Sequence, residues 1–450
     1  MFKSSISILF LTLCLIPTKS DRSLPRSLEL ENGRCWGYED DCSWDDKEDI
    51  KIQCDPDVKG WNGEPDPRKT FFKQGDFGFL KERRPTIKNY CRPLRKDGSD
   101  LRCSDNLEFC TASNIAIDFR KISERVYKEN LKYKMDIFSE GDIQLSGCEL
   151  DTESLEANLE FMSPLQSWAP ELRNIAVNDE TKCDITFEEP VFITKLDASV
   201  NMYHHFCDFF NLYLSLHLNS SLGAFEASAW DTDKRVLILE NSPAGHKSPF
   251  SAAWSAFTQH PVLELTKVAG KVVCFKKAVF PMLARSEILL LDFRSYYLHF
   301  RMIFGLYYNT PLIDGCRGSE MVRRFSMFML ERLGIKEAEA AMLPGDQRLR
   351  VTLIARQTRF RRIVNEAELV SALEQTGLYR VTVARFSPQV PFTSQLALTA
   401  GTDILAGLHG AGLTHLLFLP DWAEVVELYN CDDTHCYQDL ARLVQLAQAT

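Results

Sequence analysis

The fold of the second half of the chain is decided by one stretch, Leu408-His409-Gly410-Ala411-Gly412-Leu413-Thr414-His415. A short apolar run at 402–407 leads into it, and an apolar segment of helical period at 416–419 follows it. This pattern predicts a strand, a tight turn and a helix, followed by a second buried strand at 424–428, an arrangement that directs backbone N–H groups at an anion. Two interpretations of the glycines stay open: close approach of backbone to a phosphate, or a helix packed tightly on its strand.

Length, charge and the first residues narrow the class of protein. The chain has 450 residues, enough for two large domains, and its net charge of -10 argues against a general nucleic-acid binder. Lys3, an apolar run at 6–17 and the small residues around Ser20 predict a secretory signal peptide over residues 1–20. The most apolar later run, 288–307, carries charged residues that hydrocarbon would disfavour, so we expect no membrane span.

Cysteine usage fits an oxidising compartment. Of the 14 cysteines, Cys14 lies in the signal peptide, which leaves an odd number and so predicts at least one thiol unpaired within the chain. Seven cysteines lie between Cys35 and Cys148, so the region 21–160 is predicted to be rich in disulfides. The sequon Asn219-Ser220-Ser221 predicts a glycan on Asn219.

Strand and helix patterns predict an α/β fold. In residues 161–318 the alternation is incomplete, with buried strands at 191–194 and 236–239 on either side of a helix at 202–218. In residues 319–450 it is regular, with strands at 349–355 and 379–386 and further helices that begin at Ser319, at an Asn365/Glu368 capping box and at Thr393. This alternation predicts a parallel, doubly wound sheet that binds ligands at the carboxyl ends of its strands.

Two charged residues stand at predicted strand ends. Arg356 follows a buried strand and is suited to gripping a diphosphate through bidentate, charge-assisted hydrogen bonds, whereas Arg359 and Arg362 are interpreted as solvated charges. Glu427 is suited to accepting hydrogen bonds from the two hydroxyls of a ribose, and a solvated edge carboxylate is the alternative.

Two further polar pairs are candidates for chemistry. His204 and Asp208 are four residues apart on a predicted helix, so the carboxylate can orient an imidazole that takes a proton from an alcohol; a purely structural pair is the alternative. Asp231 and Asp233 form a D-x-D that can hold a divalent metal such as Mn²⁺ on a nucleotide diphosphate, although an ordinary loop before a strand explains them as well.

Together these motifs resemble glycosyltransferase family 61. The resemblance rests on the segment 409–420 ahead of Glu427, on the helix from Tyr203 to Asp208, and on the segment 163–168. It implies a GT-B-like enzyme of two Rossmann-like domains, with an acceptor-side domain at 161–318 and a nucleotide-sugar domain at 319–450.

The resemblance also implies a reaction. A family member of this kind is expected to move N-acetylglucosamine from UDP-GlcNAc to Ser or Thr hydroxyls of folded EGF-like repeats, as in Notch-type receptors and extracellular matrix proteins, with inversion, in the endoplasmic reticulum lumen. The alternatives are another family 61 activity with a different acceptor or sugar, and an inactive member that only binds EGF repeats. By position, the catalytic candidates are His204, Asp208 and Arg356, and the UDP-sugar candidates are His409, Gly410, Ala411, Gly412, Leu413, Thr414 and Glu427.

The sequence departs from the family pattern in three places. It stops at Thr450 without a retention tetrapeptide, so we expect a nucleotide domain truncated at its C-terminus. Residues 286–300 look like an insertion, and Gln259-His260-Pro261 stands where close relatives are expected to carry an acidic D-x-D.

Overall fold

A computed structural model describes residues 52–60, 64–122, 138–158, 165–220, 231–239, 248–284, 313, 315–335, 346–356, 362–428 and 436–449. All of them belong to one compact unit, residues 35–450. Their strands form a large mixed sheet, a smaller parallel sheet and a two-stranded ribbon. The mixed α/β class predicted from the sequence is confirmed.

The large mixed sheet draws on residues from both sides of the predicted boundary at residue 160. The first twelve strands are β1 (Gln53–Cys54), β2 (Lys88–Pro93), β3 (Asp100–Cys103), β4 (Cys110–Asp118), β5 (Ile143–Leu145), β6 (Cys148–Leu150), β7 (Ile175–Val177), β8 (Ile185–Phe187), β9 (Val191–Thr194), β10 (Arg235–Ile238), β11 (Leu263–Glu264) and β12 (Val272–Phe280). The strands of the large sheet have the order β11-β10-β9-β12-β4-β3-β2-β6, with β5 and β8 beside β4 and β12, and β7 beside β5. The long strand β12 pairs in parallel with β9 and antiparallel with β4, so strands of the cysteine-rich region continue the same sheet.

The second sheet is parallel throughout, as the regular alternation predicted. The remaining strands are β13 (Cys316–Arg317), which pairs with β1, β14 (Leu349–Ile354), β15 (Tyr379–Ala384), β16 (Ile404–Leu408), β17 (Glu424–Leu428) and β18 (Ala447–Ala449). The order β15-β14-β16-β17-β18 is one of the two common doubly wound orders, in which the chain reverses direction across the sheet between its first and third strands. That switch point lies between β14 and β16, and the crevice beyond their carboxyl ends is where such sheets bind ligands.

The helices predicted at residue 202 and from Ser319, Asn365 and Thr393 begin within one residue of those positions, with one exception in capping. The α-helices are α1 (Pro67–Gly75), α2 (Gly78–Arg83), α3 (Thr152–Glu156), α4 (Ala169–Leu172), α5 (Met202–Ser220), α6 (Leu265–Val268), α7 (Glu320–Arg332), α8 (Glu366–Gln375), α9 (Phe392–Ala400) and α10 (Cys436–Leu443). Ser319 caps α7 by accepting a hydrogen bond from the Val322 N–H at 3.2 Å. The predicted capping box of α8 is wrong, because the Asn365 amide donates to the Glu368 carboxylate at 3.3 Å and its side chain makes no cap bond to the backbone.

Helix α5 lies between the two sheets and carries much of the core. It connects the parallel strands β9 and β10, as a crossover helix does. Its Phe206 is fully buried and has ring contacts with Phe418 at 5.5 Å and Phe392 at 5.6 Å, both from the second half of the chain. Burying large aromatic rings in this way fixes the first turn of α5 against the segment that follows β16.

Disulfides tie distant parts of the chain together. Those within the described ranges are Cys54–Cys316, Cys91–Cys148, Cys103–Cys110 and Cys183–Cys274. The first joins β1 to β13 across 262 residues. Close to it, the Asp76 carboxylate accepts a hydrogen bond from the Met321 N–H at 2.9 Å at the start of α7. Cys207 is a buried thiol whose Sγ donates to the Tyr203 carbonyl oxygen at 3.2 Å.

None of the helices in the described ranges is both long and apolar enough to cross a bilayer. The predicted signal peptide and the predicted insertion at 286–300 lie outside those ranges. Asn219 falls in the last turn of α5, and its side chain is not among those described.

Candidate active site

Arg356 and the glycine-rich turn lie side by side at the switch point of the parallel sheet. Arg356 follows β14 after a single residue, and β14 pairs with β16 up to the contact between Ile354 and Gly407. The turn begins one residue after β16 ends, so both features stand at the carboxyl ends of neighbouring strands. Arg356 is half-buried and Arg362 is exposed, whereas Arg359 lies outside the described residues. The structure therefore brings together the two features that the sequence predicted for an anion.

The two glycines of the turn are required for different reasons. Gly410 has φ 147° and ψ 170°, a backbone conformation essentially restricted to glycine. A Cβ on Gly412 would lie 3.2 Å from Cγ2 of Ile354, so this glycine allows the turn to pack tightly on β14. The tight-packing interpretation is thus correct for Gly412, while anion binding by the backbone around Gly410 stays a prediction.

The segment after the turn differs from the predicted α-helix. Residues Ala411–Phe418 form a 3₁₀-helix, whose first bond runs from the Leu413 N–H to the Gly410 carbonyl at 2.9 Å. The side chains of Leu413 and Thr414 are buried, so these two residues can meet a ligand only through their backbone.

Behind the turn, His409 and Glu427 form a close pair. His409 Nδ1 lies 2.5 Å from Glu427 Oε1, and the Glu427 side chain is only 1% exposed against 13% for His409. The alternative of a solvated edge carboxylate is therefore wrong for Glu427. Its contact with a ribose stays a prediction, and the bond observed here is the one that fixes the His409 ring.

The predicted pair of His204 and Asp208 is wrong, because His204 has a different carboxylate partner. His204 Nδ1 lies 2.6 Å from Oδ2 of Asp197, which is 3% exposed and belongs to the loop between β9 and α5. His204 itself keeps 20% of its side chain exposed. Residues four apart on a helix share one face, as His204 and Asp208 do. The loop between β9 and α5 folds over that face, and its Asp197 places a carboxylate oxygen at hydrogen-bond distance from His204.

Asp208 instead contacts His205, the residue after His204, and the loop between β9 and α5. Its Oδ2 lies 3.2 Å from Nδ1 of His205, a fully buried residue. Both oxygens of Asp208 also accept from the backbone N–H of Asp197 at 3.3 Å. Asp208 therefore holds the loop that carries Asp197, a role that sequence spacing did not predict.

Two tyrosines join the histidines of the two halves of the chain. The ring of Tyr437 in α10 lies 5.3 Å from that of His409 and 5.9 Å from that of Tyr203, in edge-to-face geometry. Tyr203 precedes His204, and their rings are 5.7 Å apart. These ring contacts connect His204, through Tyr203 and Tyr437, to His409 beside the glycine-rich turn. Sequence reasoning missed Tyr437 and Asp197, although Asp197 could have been found by applying to β9 the strand-end rule that selected Arg356.

The D-x-D motif has partners that do not suit a metal ion. Asp233 Oδ1 lies 2.7 Å from Nε2 of His260 and accepts from the Gln259 amide at 3.1 Å. Asp231 accepts from the Asp233 N–H at 3.0 Å. The motif precedes β10, at the opposite end of that strand from its carboxyl end, so these residues do not fit a metal bound to a diphosphate in the crevice. Among the described residues, no group of three or more His, Cys, Asp or Glu side chains is arranged to hold a metal.

A buried histidine, His415, forms a hydrogen bond to the backbone of the glycine-rich turn. His415 Nδ1 is 2.8 Å from the Gly412 carbonyl oxygen, and its Nε2 is 3.2 Å from Oε1 of Gln395. Burial lowers the pKa of His415 to about 4. The ring is thus neutral at physiological pH and donates from Nδ1 to the Gly412 carbonyl.

These features define an α/β protein whose parallel, doubly wound sheet carries a His–carboxylate pair at the carboxyl ends of its strands. The chain belongs to the family Glycosyltransferase 61, whose sequence profile matches residues 159–426. It is similar to proteins named EGF domain-specific O-linked N-acetylglucosamine transferase. Identity is 43% over 416 residues for the Drosophila melanogaster protein, covering 91% of this chain and 74% of that protein. For the Gallus gallus protein it is 42% over 416 residues, covering 91% and 71%, and for the Rattus norvegicus protein 41% over 433 residues, covering 94% and 76%.

Proposed function

We propose that this protein transfers N-acetylglucosamine from UDP-GlcNAc to Ser or Thr hydroxyls of EGF-like domains, with inversion at the anomeric carbon. Membership of family 61 makes it a glycosyltransferase, and identity of 43% across 91% of the chain to a transferase named for EGF domains carries the assignment of sugar and acceptor. EGF-like repeats of Notch-type receptors and extracellular matrix proteins are the proposed acceptors. The disulfides support the endoplasmic reticulum lumen as the compartment.

The parallel sheet is the proposed donor side of a GT-B-like enzyme. Arg356 and the backbone at Gly410 to Gly412 would hold the diphosphate at the switch point, and His409 would contact it from the end of β16. Glu427 would lie toward the nucleoside. A guanidinium and oriented N–H dipoles stabilise negative charge as it develops on departing UDP.

The first turn of α5 is the proposed acceptor side. His204 is partly exposed, and ring contacts link it through Tyr203 and Tyr437 to His409 at the end of β16. An inverting transfer needs one base for the hydroxyl proton and one binding site for the leaving group, and these elements supply both. No step of this mechanism requires the D-x-D motif, whose residues do not fit a metal.

Transfer of labelled GlcNAc from UDP-GlcNAc to a purified, folded EGF-like repeat tests the proposal. The controls are the same repeat after reduction and unfolding, and a repeat whose accepting Ser or Thr is replaced by Ala. Calorimetry with UDP runs alongside. UDP binding without transfer to any EGF repeat would contradict the acceptor assignment, and a panel of UDP-sugars would then identify a different family 61 activity. A chain that neither binds UDP nor transfers GlcNAc would contradict the proposal as a whole.

A further inference from the structure

We propose that Asp197 is the positioning residue of the acceptor-side base: it fixes the tautomer and orientation of His204, while Asp208 holds the backbone of Asp197. This inference rests on the proposed transfer reaction, and it assigns roles to two carboxylates that the family comparison leaves unassigned.

The geometry separates Asp197 from the other carboxylates near the site. Its Oδ2 is 2.6 Å from His204 Nδ1, and its side chain is 3% exposed whereas that of His204 is 20% exposed. The carboxylate is therefore almost fully buried, whereas part of the His204 side chain reaches the surface. A buried carboxylate at Nδ1 keeps the hydrogen on that nitrogen, which leaves Nε2 as the nitrogen that can accept a proton.

The loop that carries Asp197 is held at both ends. The Asp197 N–H donates to both oxygens of Asp208 at 3.3 Å. At the other end, the Asn201 side chain accepts from the Tyr203 N–H at 3.1 Å and the Asn201 carbonyl accepts from the His205 N–H at 2.9 Å. Asn201 thus caps α5, and the loop presents the Asp197 carboxylate to the first turn of that helix in one conformation.

The chemical step follows from this arrangement. The acceptor hydroxyl gives its proton to Nε2 of His204 as its oxygen forms a bond to the anomeric carbon of the sugar. The bond from that carbon to the diphosphate oxygen breaks, and UDP leaves with the electron pair. Asp197 stabilises the imidazolium that results, which then releases its proton to water. Orienting carboxylates of this kind contribute about 10²- to 10⁴-fold to turnover in enzymes that use a His base.

Asp197→Asn is the decisive variant, because an amide at this position can donate to Nδ1 and select the opposite tautomer. We expect kcat for the EGF-like acceptor to fall about 10²- to 10⁴-fold while the KM for UDP-GlcNAc changes less than about threefold. Asp208→Asn keeps an oxygen that accepts from the loop and should cost less than about tenfold. The matched control is Asp233→Asn, which alters a His–Asp contact of 2.7 Å remote from the strand ends of the site and should leave kcat unchanged.

Two further measurements separate positioning from a merely structural role. Added imidazole should partly restore turnover to His204→Gly and should not restore it to Asp197→Asn. Long-range ¹H–¹⁵N spectra, with His204 identified by comparison with His204→Gln, should show the Nδ1–H tautomer in the wild-type chain and its loss in Asp197→Asn. The inference is overturned if Asp197→Asn keeps wild-type kcat, or if His204 carries its hydrogen on Nε2 in the wild-type chain. The spectra decide this even if no acceptor is found, so failure of the proposed function is distinguishable.

Discussion

Gly412 packs directly against Ile354, because a Cβ placed on the glycine would lie 3.2 Å from Cγ2 and 3.9 Å from Cδ1 of that side chain. The glycine-rich turn is therefore pressed onto the strand that ends next to Arg356. The Ile354 side chain consequently links the shape of the turn to the proposed binding of a diphosphate.

Gly412→Ala should lower both stability and UDP affinity, since the turn must shift by a few tenths of an ångström to admit the methyl group. We expect a loss of about 1–3 kcal/mol in the free energy of unfolding. Ile354→Ala removes the Cγ2 that the new methyl would meet, so the double variant should be less damaged than the sum of the single variants. A double-mutant cycle measured by chemical denaturation and UDP calorimetry checks this. Strict additivity would show that the two residues do not interact in this way.

Arg356→Ala should remove transfer while leaving the fold intact. A charge-assisted hydrogen bond to a phosphate is worth about 1.5–3 kcal/mol, so UDP should bind roughly 10- to 100-fold more weakly. Arg356→Lys keeps the positive charge but cannot form bidentate hydrogen bonds, so its UDP affinity should lie between those of the wild type and Arg356→Ala. Arg362→Ala is the control, because Arg362 is an exposed arginine of the same loop region. Equal UDP affinity for the wild type and Arg356→Ala would remove Arg356 from the site.

His415 should make the protein less stable in acid. Its pKa in the folded chain is about 4 against an ordinary 6.5, because burial disfavours the charged ring. The unfolded chain therefore binds the proton more readily, and stability falls as pH drops from 6.5 toward 4. His415→Asn keeps a donor toward the Gly412 carbonyl and cannot be protonated, so the difference in unfolding free energy between pH 7.5 and 4.5 should shrink by roughly 2–3 kcal/mol. Urea titrations at the two pH values measure it, and an unchanged difference would refute the assignment. Burial also lowers the pKa of His217 to about 3, so the His415→Asn variant should still lose some stability in acid.

The disulfide between Cys54 and Cys316 should contribute more to stability than a short-range one. Chain entropy predicts a loss of about 5 kcal/mol when Cys54→Ser and Cys316→Ser are combined, since the bond closes a loop of 262 residues. The matched control replaces Cys103 and Cys110, which are separated by 7 residues and should cost about 2 kcal/mol. Thermal and denaturant unfolding of both double variants compares the two bonds. Equal losses would mean that residual structure in the unfolded chain cancels the difference in loop length.

The parallel half of the fold was predictable because its signals are local. Ser319 caps its helix, Gly334 has the positive φ of 67° typical of a helix end, and β17 has the predicted bounds. The mixed sheet was less predictable because its pairing is long-range. Strands β2 to β6 lie in a cysteine-rich stretch without clear alternation, and they join the rest of the sheet where β4 pairs with β12, a strand more than 150 residues later.

The positions of the candidate site residues in the fold were predicted in part for the same reason. Arg356 and the turn were found from strand ends, a rule that holds for any doubly wound sheet. The partner of His204 was missed because helical spacing favoured Asp208, while the loop at Asp197 folds back over the helix. The contact between His409 and Tyr437 was also not predictable from local sequence patterns, because it depends on how helix α10 packs against the turn.

The bond between Cys54 and Cys316 also constrains how the protein is made. Cys316 leaves the ribosome 262 residues after Cys54, a delay on the order of tens of seconds at ordinary rates of translation. Throughout that interval the β1 segment has neither its strand partner β13 nor its covalent partner, and the six other half-cystines of the described disulfides emerge one after another before it ends. Correct maturation therefore requires that the Cys54 thiol is still available, or is released from an earlier disulfide, when Cys316 emerges. A disulfide isomerase that reduces premature bonds to Cys54 would then determine the yield of native enzyme.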